Sequence, residues 1–306
     1  MKILLTGATG YLGGNLRPKL RDAGHTLVVL ARDPSRTAAL VPGARIFAWD
    51  GVVGLPPAEA FDGVDAVINL IGESVAKRWT VERKRRFRDS RVLPTRALVE
   101  RMAGMSPSAR PRVLVSMAGV GFYGDRGEEV LTEKSAAGQG FLATLGREWE
   151  SAAEGATALG IRTVIFRSGV VLGPGGGILG KLLPLFRLGL GGRLGSGRQY
   201  FPWIHLEDLL RLFLHALATE GLAGPVNAVA PEPATNAEFT VALGQALHRP
   251  VALTVPALAL RLGLGEMADE MLLVSQRVSP IRAIESGFDF HFPLLGPALR
   301  ACLAAT

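Results

Sequence analysis

The sequence has only one cysteine, Cys302, among its 306 residues. A single thiol excludes an internal disulfide framework and is typical of a reducing compartment. Long apolar runs are also missing, because the longest tract, residues 251–265, is interrupted by Pro256 and Arg261. A helix that spans a bilayer needs about 20 consecutive apolar residues. We therefore predict a cytoplasmic protein without a membrane partner.

Spacings typical of metal sites are absent as well. The chain has five histidines, and none of them forms the HxxxH or HExxH spacing that places two ligands on one face of a helix. We therefore predict no metal site.

The net charge of +7 raises the question of a nucleic-acid partner. Six cations lie within nine residues, from Arg83 to Arg91, in a stretch with helical spacing over residues 80–102. The only aromatic residue among them is Phe87, and helical spacing distributes the cations over several faces. We predict a solvated helix with one or two arginines turned toward a cofactor phosphate, and no nucleic-acid partner.

The first thirteen residues carry the most informative motif. An apolar run, Ile3 to Leu5, ends at a turn with Gly7, Gly10 and Gly13, and leucines then recur at helical spacing. Gly7 permits the tight turn, Gly10 lets a ligand approach the backbone, and Gly13 lets the helix pack closely on the strand. The amides at the start of the helix favour a pyrophosphate. We therefore predict a dinucleotide-binding βαβ unit.

Strands and helices alternate along the first half of the chain, as in a mostly parallel sheet. Five further strands are predicted at residues 26–31, 44–49, 66–71, 111–115 and 162–166. After Arg167 a glycine-rich stretch begins, and the tail has the pattern of helices with short strands. The predicted fold class is α/β, a Rossmann-type doubly wound parallel sheet with a smaller interleaved C-terminal lobe.

The change of pattern also predicts the domain boundaries. We expect residues 1–172 to form the NADP-binding Rossmann domain, with its sheet completed by about residues 202–229. Residues 173–201 and 230–306 would then form a small C-terminal lobe for a substrate or partner.

Position 32 bears on the choice between NADP and NAD. It lies nineteen residues after Gly13, at the end of the second predicted strand, where a carboxylate would accept hydrogen bonds from the adenosine ribose. Arg32 stands there instead, and a guanidinium can bind a 2′-phosphate through two hydrogen bonds, with Arg36 as a helper. Asp33 remains an alternative acceptor for the ribose. The pattern favours NADP over NAD.

Several motifs resemble one family. The sequence TGATGYLG, from Thr6 to Gly13, resembles the TGxxGxxG signature of extended short-chain dehydrogenases/reductases, the clan of the sugar-nucleotide epimerases. More narrowly, the chain is similar to the YfcH-like epimerase family, including the extra C-terminal domain of that family. Arg167–Pro174 and Pro202–Asp208 match later landmarks of the wider clan. The stretches that carry the narrower similarity include Asn69–Glu73, Phe122–Asp125, Trp149–Glu150, Gly175–Gly177, Gln276–Val278 and Gly287–Phe288.

The resemblance implies a bound nicotinamide dinucleotide, NADP rather than NAD, and a small-molecule substrate of unknown identity. Because dimers are frequent in the clan, it also implies a homodimer. By the same resemblance, the residues expected to contact the cofactor are Gly7, Gly10, Tyr11, Leu12, Gly13, Arg32, Leu70, Ile71, Gly72 and Arg91.

The catalytic pair of the clan is missing from this sequence. Its members use a tyrosine four residues before a lysine, which lowers the tyrosine pKa so that a phenolate can take the substrate proton. None of the three tyrosines here has a lysine four residues later. Alignment on Glu150 places Leu142 and Gly146 at the tyrosine and lysine positions. The usual proton-transfer residues are therefore replaced or lost.

Two functions remain open. In the first, the protein is an NADP(H)-dependent oxidoreductase or epimerase with a substitute acid/base, and the pKa of Tyr123 would be lowered by Arg91 or Arg167. The candidates for that acid/base are Tyr123, Ser116, Glu73 and Glu148. Alternatively, Tyr123 is a packed aromatic residue whose hydroxyl bonds to the backbone. In the second function, the protein is a catalytically silent NADP(H)-binding sensor or regulatory protein.

Overall fold

A computed structural model describes residues 1–305 of the chain. Within that range, no helix is both long and apolar enough to cross a membrane. Thirteen strands are described: β1 Lys2–Thr6, β2 Thr26–Ala31, β3 Arg45–Ala48, β4 Ala66–Asn69, β5 Val113–Gly119, β6 Val130–Leu131, β7 Arg162–Ser168, β8 Val170–Leu172, β9 Gly192–Leu194, β10 Trp203–His205, β11 Gly224–Ala228, β12 Leu253–Val255 and β13 Arg277–Val278.

The described residues also form ten α-helices. They are α1 Tyr11–Asp22, α2 Pro34–Leu40, α3 Val81–Ala103, α4 Phe141–Glu154, α5 Leu179–Arg187, α6 Leu206–Ala218, α7 Asn236–Leu247, α8 Ala257–Leu264, α9 Ile281–Glu285 and α10 Leu295–Ala304. Residues Ala268–Leu272 add one π-helical turn.

Seven strands form the main sheet, in the order β11-β7-β5-β4-β1-β2-β3. The pairs β1–β2, β2–β3, β1–β4 and β4–β5 are parallel. The strand order reverses direction between β1 and β4, as in doubly wound folds, where ligands bind beyond the carboxyl ends of the strands at this switch point. The predicted Rossmann-type sheet is confirmed.

Most positions of the central strands are apolar because both faces of a parallel sheet are covered. Ile3, Leu4 and Leu5 of β1 are 0% exposed, and so are Val67 and Ile68 of β4. Burial of a side chain of this kind stabilises the fold by about 1.5–3 kcal/mol. The continuous apolar runs that predicted strands in the sequence therefore follow from this two-sided burial.

By compactness the chain divides into two units, each of which we describe by itself. The first comprises residues 1–118, 147–166 and 213–225, and its core includes Leu4, Val67 and Leu114. The second comprises residues 119–146, 167–212 and 226–306. Its core cluster includes Leu172 and Phe239, together with other apolar residues of α5, α7 and α10.

These units differ from the predicted domain boundaries in residues 119–146, 167–172, 202–212 and 226–229, which belong to the second unit and not the first. The second unit also contains three small two-stranded sheets, β8–β10, β9–β12 and β6–β13. A division of the chain into a cofactor domain and a substrate or partner lobe at residues 172, 201 and 230 stays a prediction.

Candidate functional site

Glycine is required at positions 7 and 13 because neighbouring protein atoms leave no space for a side chain. Gly7 has a φ of +65°, and a Cβ atom there would lie 2.7 Å from the carbonyl oxygen of Leu70. A Cβ at Gly13 would lie 2.2 Å from the carbonyl oxygen of Gly7, so no side chain fits between α1 and the turn. Close packing of helix on strand therefore selects glycine at both positions.

Gly10 differs from these two glycines. A Cβ at Gly10 would meet no protein atom closer than the Gly7 carbonyl oxygen, at 3.3 Å. Gly10 caps α1 without any side-chain cap hydrogen bond, and Tyr11 and Leu12 follow it as the first residues of the helix. Helix N-termini carry a partial positive charge that suits a phosphate. The turn thus fits a pyrophosphate that approaches the backbone at Gly10.

Arg32 and Asp33 follow the carboxyl end of β2 and take different roles. Asp33 is the N-cap of α2, and its carboxylate accepts a hydrogen bond from the backbone amide of Arg36 at 2.9 Å. Arg32 and the Arg36 side chain are exposed. Because capping engages the Asp33 carboxylate, Arg32 is the better candidate for contact with the adenosine end of a cofactor.

A buried polar network joins β1, β4 and α3 beneath the glycine turn. Asn69 Oδ1 accepts from Thr6 Oγ1 at 2.8 Å, and Asn69 Nδ2 donates to Thr95 Oγ1 at 2.9 Å. Thr6 Oγ1 in turn accepts from the amide of Leu70 at 3.0 Å. The hydroxyl of Thr95 also donates to the carbonyl of Arg91 and accepts from Trp149 Nε1. The network fixes the ends of β1 and β4 where the cofactor turn begins.

The residues predicted after β4 lie at the same edge of the sheet as the turn. Leu70 contacts Gly7 through its backbone, as described above. The side chain of Ile71 packs against Gly51, where a Cβ atom would lie 2.6 Å from Ile71 Cδ1. A cofactor contact of Ile71 would therefore use its backbone. Gly72 is exposed and lies beside the Arg91 guanidinium, with only 3.2 Å between a built Cβ and Arg91 Cζ.

Arg91 is held mainly by the protein itself. Its guanidinium donates to the carbonyl oxygens of Phe87, at 3.0 Å, and Glu73, at 2.7 Å, and lies over the Trp149 ring at 5.2 Å. Burial lowers the pKa of Arg91 to about 10. It is therefore still charged at neutral pH, and its described bonds connect the loop after β4 to α3.

Other cations of α3 are engaged in ion pairs. Arg88 pairs with Asp89 and Glu148, and Arg86 pairs with Glu73 at 3.4 Å. Glu73 also pairs with Lys77, and the hydrogen bond from Lys77 is the main cause that lowers the pKa of this carboxyl. Glu73 and Glu148 thus act as partners of cations in this structure.

Ser116 lies within the first unit, in the middle of β5, and is 0% exposed. Its hydroxyl is 3.4 Å from Asn69 Nδ2 and donates to the Met117 carbonyl at 3.4 Å, both long contacts. The structure therefore brings Ser116 together with the network of Thr6, Asn69 and Thr95. Its predicted catalytic role stays a prediction.

Tyr123 lies in the second unit and is 0% exposed. Its hydroxyl is 2.6 Å from Asn227 Oδ1 and 3.0 Å from the Thr132 carbonyl oxygen, and it accepts from Arg167 Nη1 at 3.0 Å. The Arg167 guanidinium also stacks on the Phe122 ring at 3.6 Å. These bonds match the alternative reading of Tyr123 as a packed aromatic residue with a bonded hydroxyl.

The expected direction of the Tyr123 pKa shift is wrong. The pKa of Tyr123 is raised, chiefly by burial, although the charge of Arg167 acts in the opposite direction. Here burial disfavours the charged phenolate by more than the neighbouring guanidinium favours it. The phenol is therefore protonated at neutral pH.

Protein atoms occupy the space around the two positions where the clan has tyrosine and lysine. A Cβ at Gly121 would lie 3.0 Å from Leu142 Cβ, so Leu142 packs on this glycine. A Cβ at Gly146 would lie 3.1 Å from Phe122 Cα and 3.2 Å from its Cβ. Phe122 therefore lies against α4 at the position of the absent lysine.

Sequence reasoning missed several residues of the site. Thr6, Asn69, Thr95 and Trp149 were not among the predicted site residues, although Thr6 and Asn69 stand at strand ends beside predicted contacts. A polar residue that ends an apolar strand was the available signal. Among residues 1–305, no three histidine, cysteine or acidic side chains lie together in a way that could hold a metal ion.

Comparisons with known proteins agree with the geometry of the first unit. Residues 3–228 match the NAD dependent epimerase/dehydratase family, and residues 255–302 match a domain of unknown function, DUF1731. The epimerase family protein MT2273 of Mycobacterium tuberculosis is 42% identical over 299 residues, which cover 97% of this chain and 96% of the relative. The predicted family and its extra C-terminal domain are confirmed.

Two further relatives extend the comparison. The crystal structure of the human epimerase family protein SDR39U1 with NADPH is 35% identical, covers 100% of both chains and superimposes with a TM-score of 0.87. The SDR39U1 homolog of Arabidopsis thaliana, described as chloroplastic, is 39% identical over 306 residues, or 99% of this chain and 87% of the relative. The cytoplasmic location of the present chain stays a prediction. On the family match and these identities, the chain belongs to the NAD dependent epimerase/dehydratase family, among the epimerase family proteins related to SDR39U1.

Proposed function

We propose that this protein binds NADP(H) at the turn between β1 and α1 and acts as an oxidoreductase or epimerase on a small molecule. The observation that carries the proposal is the difference among the three glycines. Gly7 and Gly13 have no room for a side chain, whereas the protein atom nearest to a built Cβ at Gly10 is the Gly7 carbonyl oxygen, at 3.3 Å. The NADPH in the structure of human SDR39U1 supports the same assignment.

Arg32 carries the preference for NADP over NAD. It is exposed at the carboxyl end of β2, and the neighbouring carboxylate of Asp33 is engaged as the cap of α2. A guanidinium attracts the 2′-phosphate that distinguishes NADP from NAD, whereas a carboxylate would repel it. Gly10, Tyr11, Leu12 and Gly13 would bind the pyrophosphate, and Leu70, Ile71 and Gly72 would line the nicotinamide half.

The bound dinucleotide would supply or accept a hydride. The protein would have to hold or move a proton, and Tyr123 and Ser116 remain the proposed residues for that step. Each has a hydroxyl that can donate or accept a proton. In the structure the Tyr123 hydroxyl bonds to Asn227, Thr132 and Arg167, so a proton transfer there would have to break one of these bonds. The substrate and a homodimer also stay predictions.

A catalytically silent NADP(H)-binding sensor is the second candidate function. Two observations favour it: the bonded Tyr123 hydroxyl, and Phe122 packed against Gly146 where the clan has its lysine. In this reading the first unit keeps its affinity for the dinucleotide while the proton-transfer residues of the clan are lost.

Replacement of Arg32 tests the proposal for the cofactor. We expect Arg32→Ala to weaken NADPH binding by about ten- to a hundredfold, because hydrogen bonds to charged groups contribute about 1.5–3 kcal/mol and 1.4 kcal/mol is tenfold. The affinity for NADH should change little. Fluorescence titration of the purified variant with both dinucleotides measures the two effects.

Arg45→Ala is the matched control, since Arg45 is an exposed arginine at the start of β3, whereas Arg32 follows the end of β2. It should leave both affinities unchanged. Equal losses of NADPH and NADH affinity in Arg32→Ala would place the 2′-phosphate elsewhere.

A panel of carbonyl substrates, followed at the NADPH absorbance, then separates the enzyme from the sensor. Turnover that Tyr123→Phe abolishes without loss of NADPH affinity supports the enzyme.

A further inference from the structure

The segment 119–142, which contains Tyr123, has little regular structure of its own. Its described elements are the last residue of β5, a 3-10 turn over Val120–Tyr123, the two-residue strand β6 and the first two residues of α4. A segment with so few internal ladder hydrogen bonds depends on side chains from elsewhere to satisfy its backbone. In the second unit, several of those side chains come from residues 270–279, within the stretch that matches DUF1731.

Glu270 binds the start of α4 with both carboxylate oxygens. Glu270 Oε1 accepts from the amide of Phe141 and Oε2 from the amide of Leu142, each at 2.7 Å. The first amides of a helix have no partner within the helix, and a carboxylate at that end is favoured by the helix dipole. Glu270 is placed there by the π-helical turn Ala268–Leu272.

The residue before α4 is adapted to this contact. Gly140 has a φ of +101°, and a Cβ atom there would lie 2.8 Å from Glu270 Oε1. A side chain at position 140 would therefore be strained in its backbone and would also displace the carboxylate. The glycine and the glutamate, 130 residues apart in sequence, fit each other.

Gln276 binds the turn that carries Tyr123. Its side chain is 4% exposed, and Nε2 donates to the carbonyl oxygens of Val120 and Gly124, each at 3.0 Å. These two acceptors lie on either side of Tyr123 in the chain. A buried amide that bonds both ends of a turn fixes its conformation, because loss of either bond would leave a buried polar group without a partner.

Ser275 and Ser279 extend the same contact. Ser275 donates from its amide to Asp125 Oδ1 at 3.1 Å and from its hydroxyl to the carbonyl of Gly127 at 2.6 Å. The carbonyl of Ser279 accepts from Asn227 Nδ2 at 2.9 Å, and Asn227 is the residue that bonds the Tyr123 hydroxyl. Between them, β13 pairs with β6 in parallel.

From these contacts we infer a role for the C-terminal domain of unknown function. It holds the segment 119–142 in the conformation that packs Tyr123 and fixes the first turn of α4, and Glu270 and Gln276 are its positioning residues. The first turn of α4 includes Leu142, where the clan places its catalytic tyrosine. The domain thus supports the part of the fold in which this chain departs from the clan.

Hydrogen exchange on the full-length protein tests this role. Glu270→Ala should speed amide exchange at Phe141 and Leu142 by about tenfold or more, since bonds to a charged acceptor contribute about 1.5–3 kcal/mol. Gln276→Ala should likewise speed amide exchange in residues 120–124. Both should leave the exchange of residues 2–22 unchanged. Glu270→Gln, which keeps one acceptor oxygen, should lie between Glu270→Ala and the unaltered chain.

Glu285→Ala is the control, because Glu285 is an exposed carboxylate in the same domain. It should change exchange nowhere in residues 119–142. The inference is overturned if Glu270→Ala and Gln276→Ala speed exchange evenly along the chain, or if they match Glu285→Ala. NADPH affinity, measured on the same samples, reports on the cofactor proposal separately.

A second pair of variants covers the case in which Glu270→Ala does not fold. Gly140→Ala pushes a methyl group toward the Glu270 carboxylate and should also speed exchange at Phe141 and Leu142. In the combination Gly140→Ala with Glu270→Gln, the two effects should be smaller than additive, because both disrupt one contact. Strictly additive effects would show that Gly140 and Glu270 act independently and would contradict the inference.

Discussion

Individual glycines of the cofactor turn make separable contributions to the fold. Gly13→Ala should strongly destabilise the first unit, because its Cβ would lie 2.2 Å from the Gly7 carbonyl oxygen and α1 would have to move. Overpacking of this kind typically costs about 1–3 kcal/mol. Urea unfolding of the purified variant measures the loss.

Gly14→Ala provides the matched control for this prediction. Gly14 lies in the same helix, and its built Cβ meets only the end of the Arg17 side chain, at 3.9 Å. An alanine in a helix interior is favoured over glycine by about 0.5–1 kcal/mol, so this variant should be slightly more stable. A loss at Gly14 as large as at Gly13 would contradict the close approach described here.

The phenol of Tyr123 should titrate later than an ordinary tyrosine. Its pKa is raised above the usual value of 10.0, mainly by burial. Because the folded pKa exceeds the unfolded pKa, its contribution to stability is full below about pH 10 and is lost as the pH rises through the folded value. The difference in phenolate absorbance between the unaltered protein and Tyr123→Phe isolates this titration. A midpoint at or below pH 10 would contradict the structure.

At the scale of elements, one hydroxyl holds three secondary structures together. Thr95 of α3 accepts from Asn69 at the end of β4 and from Trp149 of α4. Thr95→Val keeps the shape of the side chain but leaves the buried Asn69 amide and the half-buried Trp149 indole without this acceptor. We expect a loss of about 1–3 kcal/mol for each donor that finds no other partner. Denaturant unfolding, followed by tryptophan fluorescence, measures it.

Thr157→Val is a suitable reference for this variant, since Thr157 is exposed in the same unit. Surface substitutions of this kind usually change stability by less than about 0.5 kcal/mol. If both threonine variants lost the same stability, the network would have no special role. A specific loss at Thr95 would show that the ends of β1 and β4 depend on α3 and α4.

At the scale of the molecule, the single cysteine reports on the integrity of the second unit. Cys302 is 1% exposed in the core formed with α5 and α7, and burial raises the pKa of its thiol to about 11. At pH 8 only about one thiol in a thousand would be ionised, and the thiolate is the reactive form. We expect negligible reaction with a disulfide reagent in native buffer and complete reaction in denaturant. Rapid labelling of the native protein would contradict this packing.

The sequence by itself determined the main sheet and the cofactor turn. The strands are visible as continuous apolar runs because both faces of the sheet are buried. The turn is visible because its backbone requires glycine at fixed positions. Both patterns lie in residues that are close together in the sequence. Strand β2 was predicted with its observed bounds, Thr26–Ala31, and the loss of the Tyr-Lys pair was visible from spacing alone.

Only the tertiary structure decided how polar side chains are used. Asp33 caps a helix, Tyr123 bonds Asn227 across 104 residues, and Glu270 bonds the start of α4 across 128 residues. The direction of the Tyr123 pKa shift also depended on burial, which the sequence does not contain. Such contacts join residues that are distant in sequence, and their partners are set by packing. A local pattern therefore indicates where a polar residue stands but not what it binds.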